Sequence, residues 1–401
     1  MKLFYGWVIV AVGVVVGCVG MGGLMSFGVF LLPMAESLGW SRAGISTGST
    51  LAFLSMGVGG FLWGRLFDRY GARVVVMFGG LLQGLGLVVA SQVQSLPVFL
   101  VAYGVVVGLG VGAIYVPLTA ATASWFTRHR SLAVSLVSAG LALGTTLVAP
   151  FARWLIVTHD WRFAMCALGL MTWAVILPAA LLLRPAPAIV RSHSVSAAEE
   201  AEMNVAQALR TPVFWSLALA NFACCAAHSG PIFHMVSYAA VCGVEPLTAA
   251  TILGAAGLAA LSGRIICGLL ADRMGTKNTL VACLALQALA IALYLPARDL
   301  STLYAVSMLF GFSYGGAMPL YAILVREYFP AAIMGSVFGV VAMISTLGMA
   351  LGAPLGGWLF DRFGGYGWLY AASSAIGVAA ALIAITVRAH RVPTAEVPAV
   401  A

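Results

Sequence analysis

Apolar residues run along the chain in long blocks, and polar residues punctuate them. Twelve such runs stand out, at about 5–32, 43–67, 73–92, 96–124, 131–156, 162–184, 212–241, 248–271, 277–296, 301–326, 332–358 and 366–388. Each is near or above the ~20 residues that a helix needs to cross the hydrocarbon core of a bilayer. The pattern predicts an all-α integral membrane protein of twelve transmembrane helices with no separate soluble domain. The first run is too long for the apolar core of a signal peptide and lacks a clear cleavage site. It therefore reads as a retained first helix.

The longest polar interruption covers about 185–211. It holds proline, serine and an acidic cluster at Glu199, Glu200 and Glu202, the composition of a linker, with a short amphipathic surface helix expected near 198–210. The sequences on either side of it match. "GRLFDRYGAR" begins at Gly64 and "GLLADRMGTK" at Gly268, a shift of 204 residues. The same shift carries Gly39 onto Gly243, Gly144 onto Gly348, Pro150 onto Pro354 and Trp154 onto Trp358. One shift over five runs means a duplicated unit. The chain thus divides into an N-terminal six-helix bundle (1–184), a linker (185–211) and a C-terminal six-helix bundle with a short tail (212–401). Each half has an even number of crossings, so the halves are parallel repeats about an axis along the membrane normal.

Composition agrees: 62% of residues are hydrophobic and 8% charged, against about 25% charged in soluble domains. The net charge of +8 could suggest nucleic acid, but its placement argues otherwise. With both termini set in the cytoplasm, 14 of the 20 Lys and Arg fall on that side and five outside (Arg42, Arg153, Arg162, Arg298 and Arg362). That bias sets membrane orientation. The seven cysteines form no CxxC pair or zinc-type spacing. Reduced structural thiols and no metal are expected.

The twentieth cation, Arg264, stands in the apolar run "LAALSGRIICGLLADRMG", eight residues before Asp272. That is about 12 Å along a helix. Its repeat counterpart is Gly60, so it does not belong to the duplicated scaffold. A charge at such depth costs at least ~2.5–3.5 kcal/mol and ordinarily faces a partner or a wet cavity. All 12 Asp and Glu lie in loops, tails or run ends. The substrate is the best remaining source of negative charge, and a guanidinium suits a carboxylate because it binds both oxygens at once. The competing reading is an arginine satisfied by backbone carbonyls and hydroxyls between the halves.

"GRLFDRYGAR" (Gly64, Asp68, Arg69, Gly71, Arg73) resembles the signature loop between helices 2 and 3 of the major facilitator superfamily, and Asp272 and Arg273 repeat it. The resemblance implies alternating access between two rocking bundles, with these residues acting in gating and not on substrate. "YGWVIV", "PIFHMVSYA" and "SGRIICGLLADRMG" look like the monocarboxylate transporter family and its bacterial relatives, including oxalate–formate exchangers. In that group an arginine of the eighth helix holds the substrate carboxylate, and it falls on Arg264. Two departures stand out. Ala260 occupies the place of an aspartate in animal members, and the first run has no lysine where theirs lies, near Met25. Both are thought to serve proton coupling, so coupling is arranged differently here or absent. The eleventh run also lacks the lysine that accompanies the arginine in oxalate exchangers. One fixed cation suits a monoanion.

Further pocket candidates follow from mid-run position. Tyr115 and Tyr314 occupy corresponding runs, and a phenol at that depth wants a hydrogen-bond partner. His228 and His234 flank Pro231, where the helix is expected to bend or break. With no membrane carboxylate they are the candidate side-chain proton carriers. Asn221 lies seven residues before His228 on the same face. Leu24, Met25, Phe27, Gly28 and Leu141 are candidates for a tight apolar wall, with core or lipid packing equally open to them. Gly140, Gly144, Gly348 and Gly352 are small-residue pairs for close helix packing.

The sequence therefore predicts a proton-coupled symporter of a small monocarboxylate, L-lactate or pyruvate, in the cell membrane as a monomer. It has no cofactor, and its partners are the anion, protons and lipid, with no nucleic acid. The alternatives are an organic-anion exchanger without net proton movement and a non-transporting sensor. An enzyme is disfavoured because there is no membrane carboxylate pair, metal-ligand cluster or nucleophile elbow.

Overall fold

A computed structural model describes residues 4–186 and 203–387. The acidic cluster of the expected linker lies outside them. All regular structure among the described residues is helical. Eleven helices are long and apolar enough to span a membrane. One of them, Gly44–Ser91, has 48 residues. A straight helix of that size would be ~72 Å long, more than twice the ~30 Å hydrocarbon core. It bends back at Gly71, whose φ of 79° is left-handed, a conformation that glycine adopts without strain. After the bend, the hydrogen-bonded turn beyond Ser91 returns to the starting end: a Cβ on Gly44 would lie 2.9 Å from Leu96. The twelve predicted crossings are thus present, two of them joined through one glycine.

We number the crossings α1 (Gly6–Met25), α2 (42–70), α3 (72–91), α4 (Leu96–Trp125), α5 (Arg130–Thr158), α6 (Trp161–Leu181), α7 (Pro212–Val241), α8 (Pro246–Met274), α9 (Thr276–Leu293), α10 (Leu300–Tyr328), α11 (Met334–Phe363) and α12 (Gly367–Thr386). The first crossing ends earlier than its apolar run. It tightens to a 3₁₀ turn at Ser26–Val29, where the Ser26 hydroxyl donates to Gly23 O (3.1 Å), and resumes as a short helix at Leu31–Leu38. Such local side-chain bonds compete with the helical ladder. Helix α7 runs without a break through Pro231. Of the expected surface helix in the linker, one turn is described, Val205–Ala208, closed by a capping box between Asn204 and Gln207.

The repeat is visible in hydrogen bonds as well as in sequence. Gln83 Nε2 donates to Gly20 O (2.7 Å), and its counterpart Gln287 Nε2 donates to Cys224 O (3.3 Å). Gly71 and Gly275, and Gly39 and Gly243, share positive φ. The small-residue pairs bring helices to backbone contact: Gly144 lies against Cys18 and Gly22 of α1, and Gly348 against Phe222 and Ala226 of α7. Large apolar side chains at Leu258, Leu62, Phe78, Trp154, Trp358 and Trp368 are exposed, as lipid contact requires.

The start of α1 and the end of α6 share one face. Tyr5 donates its hydroxyl to Leu182 O (2.8 Å), and Arg73 donates to Leu183 O (3.2 Å) and Leu181 O (2.6 Å). Val387, after α12, packs with Leu280 and Phe329 at the matching end of the C-terminal half. We call this the terminal face and the opposite side the far face.

Candidate functional site

Two main seams join the halves. At the α2–α11 seam, Gly64 abuts the Gly335 backbone, and a Cβ on Gly339 would lie 2.6 Å from Gly60 O. Gly57 meets Thr346 deeper in the bundle. Asp68 closes this seam at the terminal face. It accepts from the Gly335 N–H (2.8 Å), the Ser336 N–H (2.7 Å) and the Ser336 hydroxyl (2.5 Å). A carboxylate on the free amides at the start of α11 satisfies donors that the helix leaves unpaired and complements its dipole.

The α5–α8 seam follows the same plan. Asp272 accepts from the Ser131 N–H (3.0 Å) and the Leu132 N–H (3.1 Å) at the start of α5. The residue before α5, His129, is left-handed (φ 60°) and supplies no side-chain cap. The cap comes from the other half. Four residues up α8, Gly268 lies against Ser135 and Ser131. Another four up, the Arg264 Nε donates to Ser138 Oγ (3.2 Å). Both halves are therefore latched at the terminal face. The other motif residues act locally: Arg73 caps the end of α6, Arg69 lies 5.3 Å over the Tyr70 ring, and Arg273 is exposed.

Arg264 is half-buried at the inner end of its seam. Its Nη1 donates to Ala260 O (3.0 Å), so its two partners among the described residues are neutral. Tyr115 from α4 and Tyr314 from α10 lie close enough to feel its charge, as does His228 from α7. His228 is buried and stacks on Tyr314, with ring centroids 5.2 Å apart. Tyr115 packs against Phe338 of α11 (5.6 Å). Neither phenol hydroxyl bonds to a described residue. The site thus gathers one guanidinium, two phenols and one imidazole from both halves, a set suited to a small anion and to proton exchange.

The other candidates are dispersed. His234 is beside Tyr366 (5.2 Å) and Gly356, six residues further toward the far face than His228. Asn221 is buried and accepts from the Cys225 thiol (3.7 Å). Leu24 and Phe27 are buried in the N-terminal half, with Leu24 O accepting from the Tyr103 hydroxyl (2.9 Å) and Phe27 against the Tyr103 ring (4.8 Å). Met25 is half-buried beside them, and Gly28 is exposed with open space around it. Leu141 packs on Gly17 of α1. Ser138 was missed from the sequence, and Ala260 was singled out there for its side chain and not for the carbonyl that Arg264 uses. A signal for Ser138 was present: the 204-residue shift aligns Ser131, Ser135 and Ser138 with Gly335, Gly339 and Ala342, marking one seam as polar.

The family model of the Major Facilitator Superfamily matches residues 12–353 and 243–400. Monocarboxylate transporter 13 of Bos taurus is 28% identical over 384 residues, covering 95% of this chain and 89% of that protein. Monocarboxylate transporter 11 of Mus musculus is 30% identical over 381 residues, covering 90% and 83%. Among solved structures, the proton:xylose symporter XylE superposes with a TM-score of 0.78 at 16% identity over 96% of both chains. The transporter FucP in the outward conformation superposes at 0.77 and 14% identity over 94% of this chain and 98% of its own. At such identities the structures speak to fold alone. The duplicated six-helix bundle, the paired latches and these relatives agree on a membrane transporter of a small molecule, not an enzyme: the chain belongs to the major facilitator superfamily, within its monocarboxylate transporter family.

Proposed function

We propose that the protein carries a small monocarboxylate, L-lactate or pyruvate, together with a proton, by alternating access across the cell membrane. Both termini are assigned to the cytoplasm and the protein to a monomer. The observation that carries this reading is the state of Arg264. A guanidinium has five N–H donors. Two are spent on the neutral Ala260 O and Ser138 Oγ, and three remain for a ligand. The bound carboxylate supplies the counter-charge, and the neutral pair then crosses the rocking transition without a naked ion in low dielectric. The names of the mammalian relatives support the same substrate class.

Tyr115 and Tyr314 are assigned to the substrate oxygens, and Leu24, Met25, Phe27, Gly28, Leu141 and Asn221 to the walls of the path leading there. The Gly64–Arg73 loop with Asp272 and Arg273 is assigned to gating. His228, on Tyr314, is the favoured proton carrier. His234 is second because it lies further toward the far face. A second reading, anion exchange, draws on the absence of any carboxylate beside Arg264 among the described residues.

Radiolabelled L-lactate uptake into proteoliposomes separates the two readings. Symport predicts uptake that rises with an inward proton gradient in vesicles without internal anion. Uptake that ignores the gradient and requires internal anion would replace symport with exchange.

A further inference from the structure

Arg264 is held by two helices from different halves. Ala260 O belongs to α8 itself, one turn away, and stays with Arg264 wherever α8 goes. Ser138 belongs to α5 of the N-terminal half and is 3% exposed. The repeat supplies neither member of this pair at the other seam, where Gly60 and Ala342 stand in their places. The contact is therefore an addition specific to the side that carries the cation.

We propose that Ser138 is a positioning residue that ties the anion affinity of Arg264 to closure of the α5–α8 seam. This rests on the reading of Arg264 as the anion anchor. A carboxylate is bound best by two parallel N–H groups of one planar fork. With Nε given to Ser138 and one Nη1 hydrogen to Ala260 O, the three N–H groups left for the substrate, one on Nη1 and two on Nη2, lie on the Nη1–Nη2 edge. Two anchors on different helices fix the plane of that edge. When the halves part at the terminal face, α5 and α8 separate and Nε loses its acceptor. The fork then turns about the single bond to Ala260 O, and its alignment with the carboxylate is lost. Affinity is high while the terminal face is sealed and falls as that face opens. Substrate is taken from the far face and released at the terminal face by the same movement.

The test uses the full chain in proteoliposomes of defined orientation, with radiolabelled L-lactate offered from one face or the other. Ser138→Ala is expected to raise KM from the far face by roughly tenfold or more, the value of one hydrogen bond to a charged group. KM from the terminal face and kcat stay within about twofold. Ser138→Thr, which keeps the hydroxyl, is expected to restore the far-face KM. An unchanged KM in Ser138→Ala, or an equal rise from both faces, overturns the proposal. So does failure of Ser138→Thr to recover while Ser138→Ala remains folded. Arg264→Ala separates this from the underlying reading. If it abolishes transport while Ser138→Ala is normal, only the role of Ser138 falls. If it transports normally, the anion-anchor reading falls with it.

Discussion

The α2–α11 and α5–α8 seams hold equivalent places in the repeat, yet they close by different chemistry. At the first, glycines at 60, 64, 335 and 339 bring backbone near backbone, Gly57 meets the Thr346 side chain, and polar contacts gather at Asp68. At the second, Ser131, Ser135 and Ser138 face Asp272, Gly268 and Arg264 in register, four residues at a time along α8. The glycine-lined seam depends on shape along its length and on Asp68 at its end. The polar seam depends on hydrogen bonds that must be remade when it opens, and it is the one that leads to the fixed cation. Duplication supplied one scaffold twice, and side-chain changes on one side turned a packing surface into a serine-lined one that ends at Arg264.

The largest effect of breaking the comparison is expected at the glycine-lined seam. Gly339→Val would set a branched side chain against Gly60 O and the Phe61 backbone, atoms that cannot swing aside. Overpacking costs ~1–3 kcal/mol, enough to shift a two-state balance by roughly 5- to 150-fold. L-Lactate transport should fall at least tenfold. Spin labels at Arg69 and Lys277, on opposite halves at the terminal face, should report a longer distance. An unchanged distance with full transport would mean that the seam does not need contact at this depth.

Next come the latches. Asp68→Asn and Asp272→Asn each remove a charged cap worth ~1–2 kcal/mol. Asp68 accepts three hydrogen bonds and Asp272 two. The same spin-label pair should therefore show more opening in Asp68→Asn, and the reverse order would contradict the assignment of strengths. The smallest change sharpens the contrast. Ser135 Oγ is buried with no hydrogen-bond partner among the described residues, a cost of ~1–3 kcal/mol. Ser135→Ala should keep transport within about threefold and favour the closed distance. A shift toward the open distance would show that this hydroxyl has a partner when the seam is shut.

The fold was legible because its constraints are written one-dimensionally. Run length gives the crossings, and a constant shift from Gly64 to Gly268 gives the duplication. Arg264 was legible for a related reason: a lone charge in an apolar run has few physical explanations. What surrounds it was not. Ser138 lies 126 residues away, and which side of α5 meets α8 is decided by packing between halves. The two histidines looked alike beside Pro231, but an unbroken α7 carries them past different neighbours, Tyr314 and Tyr366. The apolar candidates were least legible, because core, lipid and pocket all select the same residue types.

The central claim is that Arg264 holds the carboxylate of the transported anion. It is tested most directly by L-lactate uptake into proteoliposomes bearing the native chain, Arg264→Lys or Arg264→Ala, at equal protein density and with an inward proton gradient. The account predicts loss of at least about a hundredfold in Arg264→Ala, where a buried carboxylate has no counter-charge. It predicts a raised KM with partial transport in Arg264→Lys, which keeps the charge and loses the fork. Native rates in Arg264→Ala would contradict the account and leave Arg264 a structural residue held by Ala260 O and Ser138.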